Sequence, residues 1–375
     1  MIVIEDKKKC AGCTACAVSC PCKAIDMEED EYGFYYPVVH QELCIDCGIC
    51  HKVCPFNKET SSPIKQETYA VKHKDKQVLA NSTSGGLFTA LSDYVLQSGG
   101  VVYGAAFDEN MVVRHMRAEN KLERDRMRGS KYVQSDLDNI FQLVKQDLKN
   151  RNVLFTGTPC QIAGLKNFLR GREERLICCD LICHGVPSPL VFSEHLKLLK
   201  KKIKSKIIDY KFRPKKWGWH IHKEMIVCDN GKEYHSTSLI DMWKNLYYSR
   251  IITRPSCANC RWSNLDRCGD ITIGDCRGID KIESDLKSDE GVSLVIVNTQ
   301  VGAEIFEKLK KDLECKQLNI QHVLQPPLCS PSKENPSQDS FFTTYKKYGY
   351  KKAIIQYYGR LYPLKYYVKK WLKKK

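Results

Sequence analysis

Nine of the twenty cysteines fall within the first sixty residues. Eight of these nine write one pattern twice. Cys10, Cys13, Cys16 and Cys20-Pro21 form C-x2-C-x2-C-x3-C-P, and Cys44, Cys47, Cys50 and Cys54-Pro55 form it again. Three thiolates two residues apart wrap one face of an iron–sulfur cubane, and the fourth turns away to reach a second cubane. The spacing therefore assigns Cys10, Cys13, Cys16 and Cys54 to one [4Fe–4S] cluster. Cys44, Cys47, Cys50 and Cys20 take the other. Gly12 and Gly48 let the backbone approach the sulfurs and donate N–H bonds, which raise the reduction potential. Two zinc ribbons would use cysteine pairs instead. Cys22 reads as a free thiol.

Four further stretches carry residue types suited to chemistry. Ser82-Thr83-Ser84-Gly85-Gly86 opens a helix, where free N–H groups suit a phosphate or simply a cap. Thr156-Gly157-Thr158-Pro159-Cys160-Gln161 is a strand-to-helix corner with a cysteine at its apex. Cys183-His184-Gly185-Val186-Pro187-Ser188-Pro189 is a second strand end carrying cysteine. In open α/β sheets, sites collect at the carboxyl ends of strands, so these two corners could bring Cys160 and Cys183 together. The fourth stretch is Cys257-x2-Cys260, followed by Cys268 and Cys276. One C-x2-C alone suits zinc, a redox dithiol or half of an iron site.

The elements that must position these groups are legible as periodicity. Thr68–Lys72, Val101–Phe107, Val112–Met116, Val153–Thr156, Leu176–Ile182, Ile271–Ile273 and Val292–Val297 read as strands. Ser84–Leu96, Leu137–Leu148, Gln161–Leu169 and Ala303–Leu313 read as helices, and Ser188-Pro189 caps another. Strands alternating with helices imply a mixed α/β domain. The polar stretch Glu59-Thr60-Ser61-Ser62-Pro63 reads as a linker. The expected organisation is an iron–sulfur module at 1–60, a larger mixed α/β domain at 67–325, and a Pro-rich linker with a basic aromatic tail at 326–375.

The first module resembles the bacterial-type two-cluster ferredoxins. The stretch from Tyr69 to about Val297 resembles the beta-subunit family of coenzyme F420 hydrogenases and dehydrogenases. The resemblance runs in order through Ser84-Gly85-Gly86, Gly100–Gly104, Gly129–Ser135, Thr156–Gln161, Asp180–Pro189, Cys257-x2-Cys260 and Asp270–Asp275. It implies a flavin-binding domain holding FAD and a third [4Fe–4S] cluster. It assigns that cluster to Cys160, Cys183, Cys257 and Cys260, with Cys268 and Cys276 competing. It makes Ser84, Gly85, Gly86, Lys131, Tyr132 and Thr158 the flavin candidates, with Lys131 also a candidate catalytic group, while His184, beside Cys183, reads either as an acid–base residue or as a capping or core histidine. Lys131 near a flavin would stabilise its anionic reduced form. Similar proteins also sit among bacterial polysaccharide-synthesis enzymes.

The net charge of +16 is concentrated at one end. Phe341–Lys375 holds ten Lys, one Arg and no acid, interleaved with eight Tyr. That composition suits an anionic membrane surface or an acidic partner protein, or simply a solvated helix. Met1–Asp6 lacks a basic-then-apolar leader pattern, and no apolar run approaches a membrane span. The expected compartment is the cytoplasm, with the tail available to the inner membrane face. The reading is an iron–sulfur flavoprotein oxidoreductase. Electrons pass between the ferredoxin-type clusters, a third cluster and FAD, with hydride exchange to a substrate or a deazaflavin-type coenzyme. A redox partner protein or a small molecule serves as donor or acceptor, and nucleic acid is not an expected partner. The alternatives are an electron-transfer adaptor without its own substrate, and a structural or nucleic-acid-binding module.

Overall fold

Val153-Leu154-Phe155 and Leu176–Cys179 show no polar alternation, and their side chains are all buried. Such runs belong to strands covered on both faces. A computed structural model describes residues 1–57, 65–171, 173–282, 286 and 289–372, and the linker read at Glu59–Pro63 lies outside them.

The N-terminal module contributes a hairpin of β1 (Ile25–Glu29) and β2 (Tyr35–Val39). The large domain contributes β3 (Glu67–His73), β4 (Val101–Phe107), β5 (Val113–Ala118), β6 (Val153–Gly157) and β7 (Leu176–Leu181). Then follow β8 (Ile207–Lys211), β9 (Met225–Cys228), β10 (Glu233–His235), β11 (Ile271–Asp275), β12 (Ser293–Val297) and β13 (Leu313–Leu318). Eight of these form one mixed sheet in the order β13-β3-β12-β11-β7-β6-β4-β5. Neighbours among β4, β6, β7 and β11 run parallel, and the outer pairs are antiparallel.

Successive residues on the parallel strands feed opposite faces. Val153, Phe155 and Cys178 pack against Phe141 and Val144 of helix Ile140–Asp147 and Ile162 and Leu165 of helix Pro159–Leu169. Leu154, Ile177 and Cys179 pack against Leu87 and Leu91 of helix Leu87–Gln97 and Phe306 of helix Gln300–Leu309. The iron–sulfur module lies on the first face, where Cys13, Ala15 and Val53 join the same apolar cluster as Ile162 and Leu165.

The structure departs from the sequence reading in four places. The helix expected from Ser84 starts at Leu87, because Ser84-Gly85-Gly86 forms a tight turn. A Cβ on Gly85 would sit 2.0 Å from the Val71 carbonyl oxygen, so only glycine permits that approach. The helix expected to end at Leu313 ends at Leu309, and Leu313 opens an edge strand. A separate three-stranded sheet, β8-β9-β10, was not legible in the lysine-rich sequence. Finally, the region read as a loose linker and a solvated basic helix forms helices Gln338–Tyr348, Tyr350–Tyr358 and Tyr362–Leu372, the first two of which are packed into the core instead of solvated. Phe341, Phe342, Tyr350, Ala353 and Ile354 are buried with Trp243 and Leu246 in the core. The lysines between them hide an apolar stripe at helical spacing. Among the described residues, no helix is long and apolar enough to cross a membrane.

Candidate metal centres

The N-terminal cysteines gather into two groups. Cys10, Cys13, Cys16 and Cys54 border one small cavity, and Cys20, Cys44, Cys47 and Cys50 border a second, with Cys22 at its rim. Among the described residues no three ligating side chains close on a single ion. The thiols instead ring cavities, as four cysteines at the corners of a cubane must. The donor chemistry agrees: the Gly12 N–H points at Cys10 Sγ at 3.4 Å and the Ala24 N–H at Cys20 Sγ at 3.3 Å. Such N–H···S bonds stabilise cluster thiolates. Burial, reinforced by neighbouring Cys10 and Cys54, pushes the Cys16 thiol up to about 12, so this sulfur is a poor thiolate until a metal takes the charge.

A third group forms at the carboxyl ends of the central strands. β6 and β7 lie side by side, with Gly157 opposite Asp180. Their exits carry Cys160, the second residue of its helix, and Cys183, two residues past β7. The turn Pro255–Asn259 and the residue after it add Cys257 and Cys260. Cys160, Cys183 and Cys257 each feel other thiols of this set electrostatically. Burial first and then Cys260 and Cys183 push Cys160 up to about 12, and burial pushes Cys183 up to about 11. Cys257 is raised by burial and then by Cys183, with Cys160 and Cys260 contributing. Gly185 N–H donates to Cys183 Sγ at 3.4 Å and Val186 N–H to Cys257 Sγ at 3.5 Å, repeating the pattern of the N-terminal groups. Thr158 Oγ1 lies 3.1 Å from Cys160 Sγ.

Cys268 and Cys276 stand apart from this set. Cys268 is buried beside Cys160, but its S–H donates to the Pro159 carbonyl at 3.0 Å. Cys276 packs with Ile279, Val292 and Leu294 in a different apolar cluster. Asp180, fully buried, holds the β7 exit in place by pairing with Arg267 at 3.1 Å and accepting the Gly269 N–H at 3.2 Å.

The flavin candidates divide. Ser84 Oγ donates to the Val292 carbonyl and the Gly85 N–H to Ser293 Oγ, so that turn spends its polar groups on β12. Lys131 and its neighbours Gly129 and Ser130 line a cavity of about 1000 Å³, together with Ser82 and Thr83. Lys131 Nζ donates to the Arg126 and Arg128 carbonyls, and desolvation pulls its pKa down to about 7. The opposite wall is β8 and the segment after it, including Lys211, Arg213, Lys215 and Lys216. Sequence reasoning missed these four cations; their clustering in Lys211–Lys216 was the available signal. Tyr132 stacks on Tyr247 with ring centroids 4.7 Å apart, and Tyr247 reaches the neighbourhood of Cys183. His184 is largely buried, which pulls its pKa down to about 4. Trp217 and Trp219 do not line this cavity; Trp219 is buried with Cys276 and Ile279.

Parts of the chain are similar to known proteins. Residues 150–321 match the family described as the C terminus of the coenzyme F420 hydrogenase/dehydrogenase beta subunit, and residues 9–58 match the 4Fe-4S dicluster domain. Over 335 residues the chain is 24% identical to the coenzyme F420-dependent sulfite reductase of Methanocaldococcus jannaschii, covering 85% of this chain and 48% of that protein. The chain thus spans about half the length of that relative. The N-terminal module is 34% identical over 74 residues to ferredoxin-3 of Nostoc sp., 16% of this chain and 76% of that one. Among solved structures, a chain of the F420-reducing [NiFe] hydrogenase complex of Methanosarcina barkeri aligns over 78% of this chain and 91% of its own, with 17% identity and a TM-score of 0.48. By its cysteine spacing and the two family matches, the chain carries a 4Fe–4S dicluster domain followed by a region that matches the C terminus of the coenzyme F420 hydrogenase/dehydrogenase beta subunit.

Proposed function

We propose that this protein is an iron–sulfur oxidoreductase in which the two N-terminal clusters exchange electrons with a third [4Fe–4S] cluster held by Cys160, Cys183, Cys257 and Cys260, and through it with FAD. The observation that carries the reading is the convergence of those four thiols, from three separate segments, against the side of the N-terminal module that bears Cys10 and Cys13. Bound FAD would supply conversion between single electrons and a hydride pair.

The chain's own part in that chemistry is placement. Lys131, Arg213 and Lys215 would neutralise the flavin's phosphates within the basic cavity. The Tyr132–Tyr247 stack would fill the space between that cavity and Cys183 and exclude water from it. A deazaflavin-type coenzyme, the F420 of the relatives' names, suits the same basic cavity as hydride partner. A redox partner protein would meet the outer cluster, since Cys47 is exposed.

One observation favours the adaptor reading instead: Ser84 and Gly85 are already committed to β12. Cofactor content after strictly anaerobic purification separates the two. About twelve irons per chain with one FAD supports the flavoprotein. About eight irons and no flavin after reconstitution would leave the adaptor.

A further inference from the structure

Arg254 is one of the largest fully buried side chains of the protein, with 1% of its surface exposed. Burying a guanidinium is costly unless a negative charge answers it. Among the described residues Arg254 forms no ion pair with a carboxylate. Its Nε donates to the Cys10 carbonyl at 2.8 Å, one terminal nitrogen donates to Gln134 Oε1 at 3.1 Å, and the other donates to the Tyr35 carbonyl at 2.9 Å. That last nitrogen also lies 3.7 Å from Cys10 Sγ. The guanidinium stands over the Tyr36 ring at 4.4 Å and the Phe34 ring at 5.3 Å. Each of these contacts is to a neutral dipole, an aromatic face or a cysteine.

The same residue meets the second sulfur group through its backbone: the Arg254 carbonyl accepts the Cys257 N–H at 3.0 Å. Gly12 makes the approach possible: its φ is +65°, and a Cβ there would sit 2.8 Å from an Arg254 terminal nitrogen. The thiolates of a bound cluster would supply a counter-charge to a cation so placed.

We infer that Arg254 is the electrostatic tuning residue of the cluster held by Cys10, Cys13, Cys16 and Cys54, making it the better electron acceptor of the N-terminal pair and directing electrons toward the Cys160–Cys257 side. The inference rests on cluster binding by the N-terminal cysteines; its direction of flow rests on the third centre of the proposed function. A fixed positive charge stabilises the reduced, more negative cluster and so raises its potential. Arg254 is a positioning residue, since its own chemistry does not change during transfer.

The test is a redox titration of the two N-terminal clusters, followed by electron paramagnetic resonance, in the full anaerobically purified protein and in R254K and R254Q. Glutamine keeps a donor toward the Cys10 carbonyl but removes the charge, and lysine keeps the charge but loses the fork. The expected result is that R254Q lowers one potential of the pair by at least tenfold in the reduction equilibrium, about 59 mV for one electron. The other potential stays in place, and R254K moves by less than half as much. Equal shifts of both clusters, equal effects of Lys and Gln, or no shift in R254Q with iron content intact would overturn it. Wild-type protein with about eight irons would count against the third centre alone, because the readout is taken on the N-terminal clusters.

Discussion

Gly164 and Cys13 meet where the iron–sulfur module rests on the large domain: a Cβ added at Gly164 would stand 2.8 Å from Cys13 Sγ. Gly164 lies in the middle of helix Pro159–Leu169, the helix that begins beside Cys160. A glycine inside a helix ordinarily costs about 1 kcal/mol relative to alanine, so Gly164→Ala would stabilise an isolated helix. Here the added methyl presses on a proposed cluster ligand, and overpacking costs about 1–3 kcal/mol. We expect G164A to lower stability in chemical denaturation and to loosen the cluster at Cys10, Cys13, Cys16 and Cys54. A more stable variant with intact iron would show that the module does not dock as described.

The proposed third centre makes a sharper chemical prediction. Cys183→Ser removes one of four converging thiols, and iron should fall by about four atoms per chain while the N-terminal signals persist. Cys268→Ser should leave iron unchanged, because that thiol already donates to the Pro159 carbonyl. Iron loss in C268S would reassign the ligand set.

Asp180 and Arg267 form an ion pair with side chains 0% and 1% exposed. Removing one partner of a buried pair strands the other charge, at a cost of about 3–5 kcal/mol. Asp180→Asn should therefore lower the unfolding midpoint strongly, while a surface variant such as Lys197→Gln should not. A loss under about 1 kcal/mol in D180N would contradict the burial of this pair.

Phe342 stacks on Tyr32 of the N-terminal module, with centroids 4.1 Å apart and planes 8° from parallel. Phe342→Ala should cost about 3–5 kcal/mol and should raise protease sensitivity within the first sixty residues. If only the last helices became labile, the C-terminal segment would not be holding the module.

The cavity lysines give a pH signature. Desolvation pulls Lys131 down to about 7 and Lys215 to about 8, so each folded-state value lies below the ordinary 10.5. Both are neutral above those values and gain charge as pH falls through them. FAD affinity, measured by titration calorimetry, should strengthen as pH drops from about 9 to 6. Lys131→Met should flatten that slope. An affinity that rises with pH would place the phosphates elsewhere.

The N-terminal cluster cysteines were legible in the sequence because their spacing is local: a cubane is held mostly within one turn of chain. The central strands and most helices were legible for the same reason, since periodicity is a property of neighbouring residues. The strand-end corners and the family resemblance singled out Cys160, Cys183, Cys257 and Cys260 in the sequence, but their meeting depends on tertiary structure: the parallel pairing of β6 with β7 sets the Cys160 and Cys183 exits side by side, and the turn Pro255–Asn259 brings the other two. Tertiary structure also turned Arg254 from an unremarked residue into a buried cation beside Cys10, 244 positions away. The C-terminal helices follow the same rule. Their lysines read as a solvated tail, and only the core around Trp243 decided that Phe341, Phe342 and Tyr350 would be buried. Local spacing specifies what a residue can bind or form, whereas partners far apart in sequence are chosen by the packing of whole elements.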